Sequence, residues 1–209
     1  MKNLPFNYVD LIIIGLLIAG VFRGRKRGMS EEFLTFVQWL IIVIGGSQVY
    51  EAGGAFIKQT VPFSLLICNI MIYVLFALLV KLLFNQIKRA VGEKILGSNF
   101  FGGSEYYLGM LAGMIRFGCV ILMVMALVNA RLITDKERAE TARYQSKNFE
   151  EISFPTFGSI QQSVLFESFA GQQVREHLNF LLIKSSAWES TPLRRGNDKA
   201  LDDVVGNSR

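Results

Sequence analysis

Charge is scarce in this chain: 19% of its 209 residues are Asp, Glu, Lys or Arg, where a soluble domain carries about 25%. Histidine and cysteine are scarcer. The one histidine is His177, and the two cysteines, Cys68 and Cys119, lie inside apolar runs with no ligand spacing around them. That speaks against a metal site or a disulfide. A Gly-rich phosphate loop, a GxSxG elbow and an HExxH pair are all missing, so the usual constellations of nucleotide-binding and hydrolytic enzymes are absent. We therefore expect no catalytic activity and no cofactor. Basic residues interleaved with exposed aromatics, the footprint of a nucleic-acid surface, are lacking too.

What the chain has instead is apolar length. Half of it (51%) is hydrophobic and 17 residues are Phe. Leu11–Phe22 is an uncharged run of 12, Phe33–Tyr50 of 18 and Thr60–Val80 of 21, and Tyr106–Ala130 is a run of 25 with Arg116 as its single charge. A spanning helix needs about 20 apolar residues, so the last three qualify directly. The first covers about 18 Å at 1.5 Å per residue. It spans if Phe6 to Asp10 also sits at membrane depth; otherwise it is a re-entrant segment paired with the second helix.

The charges that do exist are unevenly placed. Residues 1–130 hold 11 Lys/Arg against 6 Asp/Glu, whereas residues 131–209 hold 11 against 11. Lys and Arg mark cytoplasmic connections, so Arg23, Arg25, Lys26 and Arg27 put the first connection inside. Glu51–Gln59 suits the outside, and the stretch between Val80 and Tyr106, with Lys81, Lys88, Arg89 and Lys94, returns inside. Both termini then face outward. The positive cluster follows the first apolar run instead of preceding it, which argues for an uncleaved helix over a signal peptide.

Within the first connection, Gly24 and Gly28 permit positive φ for a tight turn. Ser30 can cap the second helix, and Glu31 and Glu32 suit its positive end. The cluster is either a topology anchor and turn, or an ionic latch of Arg23 or Arg27 with Glu32 that holds a cytoplasmic partner site. Arg116 lies about 16 Å along the fourth helix from Glu105, near the midplane and on the face of Gly109 and Gly113. It either faces a protein interior, with Glu32, Asp10, Gln38 or Asn69 as partner, or snorkels to the headgroups. Gly109-x-x-x-Gly113 and Gly15-x-x-x-Ala19 are small-residue packing seams, and Lys81 is expected to snorkel from a helix end.

Asp10 ahead of a short apolar helix, Arg23-Gly24-x-x-Arg27-Gly28-x-x-x-Glu32, Trp39 seven residues later, and Glu105-x-x-x-Gly109-x-x-x-Gly113-x-x-Arg116 together resemble the colicin V production protein family over about residues 8–130. The chain departs from that pattern at Glu105, where the family usually has Asp, and at Phe117, where a third glycine often sits; here Gly118 is beside it. The resemblance implies a bacterial inner-membrane protein of about four spans without established catalytic activity, needed for making or exporting a peptide toxin.

Beyond residue 130, Thr134-x-x-Glu137 resembles a capping box opening a charged helix through about Lys147, and Pro155 and Gly158 break it. Apolar residues then recur at helical spacing from Ile160 to Ile183, the pattern of an amphipathic helix. The expectation is an all-α polytopic membrane protein: a four-helix membrane domain (1–130), an outer-side helical region (131–184) and a disordered tail (185–209). Its expected partners are the lipid bilayer, further copies of itself or other envelope proteins, with no nucleic acid and no small-molecule substrate. The alternative is an oligomeric channel or transporter with a path lined by Arg116.

Overall fold

The computed structural model of the chain describes residues 6–96, 102–148 and 155–187. Three helices are long and apolar enough to cross a membrane: α1 (Tyr8–Thr60), α2 (Leu65–Leu96) and α3 (Glu105–Asn129). The four expected apolar segments thus appear as three helices, the first two fused across one break. That break is Gly28, whose φ of 74° and ψ of 171° lie where only glycine is unstrained. It divides α1 into a first arm (8–27) and a second arm (29–60). Gly24, expected to share the turn, keeps helical geometry and has a different use.

Contacts fix how the rods run. Gly28 lies against Glu105, Gly24 against Gly109 and Gly113, and Gly20 against Gly113 and Phe117. Further up the first arm, Ile13 packs against the cluster that holds Met125 and Ala126. The first arm is therefore antiparallel to α3 over its whole length. The second arm returns parallel to α3: Glu32 meets Arg116, Val43 shares a cluster with Cys119, and Tyr50 packs with Ala126 and Ala130. α2 lies antiparallel to the second arm, with Asn69 against Gly54, Tyr73 against Gly46 and Phe76 against Gly45.

Two expected loops are helix. Glu51–Gln59 continues α1 to Thr60, and the stretch after Val80 continues α2 to Leu96. Charge moves a helix out of the bilayer but does not end it. α1 stops where a breaker arrives: Val61 takes extended angles (φ −122°, ψ 144°) immediately before Pro62, as the pyrrolidine ring demands of its predecessor. Lys81 consequently sits in the middle of α2, not at a helix end.

The seam between the first arm and α3 is made of glycine. A Cβ on Gly109 would lie 2.6 Å from the Gly24 carbonyl oxygen, and one on Gly20 would lie 2.8 Å from that of Gly113. The backbones therefore touch, as small-residue stripes allow in membranes. The facing set on the first arm is Gly20, Gly24 and Gly28. Gly15 has nothing within 4 Å of its Cβ position, and Ala19 is exposed, so the expected Gly15/Ala19 seam is not used within the chain.

The C-terminal region folds back on the end of the bundle opposite Gly28. α4 (Asp135–Asn148) opens on Thr134, whose hydroxyl accepts from the Glu137 N–H at 3.4 Å. The single amphipathic helix expected over 160–183 is instead α5 (Phe157–Gln162), a π turn (Ser163–Glu167), α6 (Phe169–His177) and a 3-10 turn (Asn179–Leu181). Leu165, Leu182 and Ile183 are buried with Tyr50, Met125 and Ala130. Gln161 donates to the carbonyls of Val128 and Arg131 at the end of α3. Outside the helices, Lys184 meets Glu51 at 2.9 Å, and the hydrogen bond to that carboxylate raises the amine's pKa. Two short strands, β1 (Arg131–Leu132) and β2 (Ser186–Ala187), pair in parallel. The rest of the expected tail, 188–209, lies outside the described residues.

Gly113→Val should force the first arm off α3, since its Cβ would meet the Gly20 carbonyl and the Gly24 backbone; overpacking of this kind costs about 1–3 kcal/mol. Gly118→Val, with nothing within 4 Å, should not. Thermal unfolding of the purified protein in detergent compares the two.

Candidate functional site

The bundle encloses one carboxylate one turn beyond its break. Glu32 is 0% exposed, and Arg116 Nη1 donates to both its oxygens, at 2.6 Å to Oε2 and 2.9 Å to Oε1. Arg27, on the surface, reaches Oε1 at 3.4 Å. Arg23, the other half of the expected latch, is exposed. The guanidinium of Arg116 also lies 5.6 Å from the centre of the Phe117 ring, and its Nε is buried with no hydrogen-bond partner among the described residues.

Depth follows from the helix register. Arg116 is about 16 Å along α3 from Glu105, and Glu32 is about 6 Å beyond Gly28, which sits against Glu105. Helical side chains tilt toward the N-terminus of their own helix, so Arg116 reaches back toward the break to meet Glu32. Of the two alternatives posed by the sequence, the interior partner is the one present, and it is Glu32. Ser30, expected to cap the second arm, is buried and its hydroxyl has no partner among the described residues.

Beside this pair, between the second arm and α2, runs a groove of ≈ 580 Å³ lined by Arg116, Lys88, Lys81, Gln38, Trp39 and Asn85, among others. Gln38 is 5% exposed and its side-chain oxygen accepts from Lys88 at 3.0 Å. Trp39 forms one wall and packs on Ile42, Ala77 and Val43 behind it.

The other end of the first arm has its own carboxylate. Asp10 is 3% exposed and accepts three backbone N–H groups at 3.0 Å, from Asn7, Phe169 and Ala170. It closes a capping box with Asn7 on α1 and caps the start of α6 from a distance. Ser168 completes that cap, accepting from Gly171 N–H at 2.9 Å.

The sequence candidates therefore divide among four places. Glu32, Arg116 and Arg27 form the ion cluster; Gly24, Gly28, Glu105, Gly109 and Gly113 form the seam beside it. Trp39 walls the groove, and Asp10 stands apart at the C-terminal region. Four residues were missed as members of the site. Gly20 was legible as the first of three glycines four apart, and Lys81, Asn85 and Lys88 fall on one face of a helix once the stretch after Val80 is helical.

A polytopic bundle with an ion pair buried between apolar helices is the structure of an integral membrane protein. The chain belongs to the colicin V production family: the family model described as colicin V production protein matches residues 9–173. The match runs past residue 130 and includes Phe169 and Ala170, whose amides Asp10 holds. No curated protein and no solved structure matches the chain.

Arg116→Ala should cost about 3–5 kcal/mol by leaving Glu32 buried without a countercharge, whereas Glu32→Leu combined with Arg116→Met should cost far less. Thermal unfolding of the two variants tests this. Asp10→Ala should release the start of α6, raising hydrogen exchange of the Phe169 and Ala170 amides by at least about tenfold, the loss expected for a hydrogen bond to a charged group. Exchange around Arg116 should stay unchanged.

Proposed function

We propose that the chain is a non-enzymatic inner-membrane component of peptide-toxin production or envelope maintenance, acting through contacts with itself or with other envelope proteins. In this reading both arms of α1 cross the bilayer, making four passes with α2 and α3. The break at Gly28 and its arginines face the cytoplasm, and both termini face outward. The first arm is about 30 Å long at 1.5 Å per residue, it accompanies α3 throughout, and its outer carboxylate is satisfied by backbone amides. These features favour a full crossing over a re-entrant loop.

The observation that carries the non-enzymatic reading is how the buried ionisable groups are used. Glu32 is held by Arg116 and Asp10 by three amides, which gives both carboxylates structural work. Self-association is supported by the outer face of the first arm, where Gly15 and Ala19 are exposed between Leu11, Ile12 and Leu16 and form an unoccupied small-residue stripe.

The second reading, an oligomeric channel, draws on the groove that Arg116 lines. One experiment separates them. Ala19→Cys in native membranes should yield a disulfide-linked dimer on oxidation, lost in the added presence of Gly15→Leu, while reconstituted vesicles show no ion leak. A monomer throughout would sink the self-association reading, and a leak abolished by Arg116→Ala would establish the channel.

A further inference from the structure

The groove between the second arm and α2 carries more positive charge than the protein neutralises. Glu32 is the carboxylate in contact with Arg116, and it is shared with Arg27. Lys88 has a neutral partner, the amide of Gln38, and among the described residues no carboxylate lies within 4 Å of Lys88 or Lys81. Three cations thus line a space of ≈ 580 Å³ with one anion at its edge. In a low-dielectric setting such an excess calls for an anion from outside the chain.

The placement narrows the anion. Lys81, Asn85 and Lys88 stand on one face of α2, with Lys81 about 10 Å deeper than Lys88 along the helix. Lys88 lies toward the end of α2 that accompanies Gly28 and its arginines, the end the positive-inside rule puts in the cytoplasm. The groove therefore starts near the headgroup level and runs inward. Its walls change along that course, with Leu78, Leu82 and Trp39 joining the polar residues. Polar and cationic at one end and apolar along its sides, it has the character of basic pockets between membrane helices that hold anionic headgroups. Gln38 contributes by pinning Lys88 in the groove, which lowers the freedom lost when a ligand enters.

We propose that this groove is a binding site for the phosphate of an anionic lipid, drawn below the interface against Lys88 and Lys81 with its acyl chains along Trp39 and Leu82. It rests on the bilayer placement of α2 and not on any role in toxin production.

Trp39 reports on the site directly. With Trp188→Phe removing the other tryptophan, the full chain is reconstituted in phosphatidylcholine vesicles containing brominated phosphatidylglycerol or brominated phosphatidylcholine. Quenching of Trp39 should show phosphatidylglycerol favoured, and Lys81→Gln with Lys88→Gln should reduce the preference by about fivefold per lysine. Lys81→Arg with Lys88→Arg should keep it, which separates loss of charge from loss of fold. Equal quenching by the two lipids overturns the proposal. So does a preference that survives the double Gln variant but disappears in Arg25→Gln with Lys26→Gln, which would assign it to the exposed surface cluster. Relief of quenching by millimolar inorganic phosphate at constant ionic strength would make the site one for free phosphate, and overturn the lipid assignment.

Discussion

A buried carboxylate sets the register of this membrane bundle. Glu32 has no access to solvent, and an ionised group in such a place persists only with a countercharge and hydrogen bonds. Arg116 supplies both, and in doing so fixes how far the second arm stands along α3. Because Glu32 is one turn from Gly28, fixing Glu32 also fixes the break, and through it the first arm. The glycine contacts then follow in order, Gly28 against Glu105, Gly24 against Gly109 and Gly20 against Gly113.

The glycine seam has a limited length, and Phe117 shows where it ends. Position 117 continues the four-residue spacing of Gly109 and Gly113, yet it carries the largest ring on that face. It fits because the opposing residue is Gly20, whose missing Cβ would stand 3.0 Å from the ring. The departure from the family pattern is thus compensated across the interface. Gly118, next in sequence, is open and takes no part in the seam. With Phe117 beside it, the Arg116 guanidinium also gains an aromatic neighbour.

Much of this was legible in the sequence because it depends on residue type at short range. Apolar run length located the helices, the glycines located the break, and a lone arginine in an apolar run announced a buried partner with Glu32 among the candidates. Three features were not legible, each for a physical reason. The helix end at Thr60 and the continuation of α2 to Leu96 escaped because charge was read as a loop signal, whereas the backbone hydrogen bonding of α1 continues until Pro62 stops it. Apolar periodicity over 160–183 suggested one helix, but the tertiary cap from Asp10 starts a new helix at Phe169. The role of Asp10 itself is a contact across 159 residues, which no local pattern encodes.

The two carboxylates divide the labour of holding this fold between its ends. At one end Asp10 binds amides, which are neutral, so its negative charge is stabilised without importing a cation. At the other end Glu32 binds Arg116, which brings a full positive charge, and is shared with Arg27, while among the described residues no carboxylate lies within 4 Å of Lys88 or Lys81. The electrostatic asymmetry of the bundle therefore exceeds what its topology needs. Arginines exposed at the break already suffice to orient the helices, yet Lys81 stands further along α2, where a charge is a cost unless it is matched. In the lipid proposal the match comes from an anionic headgroup and requires no change in the fold. Gln38, which holds Lys88, is neutral and leaves that charge unmatched.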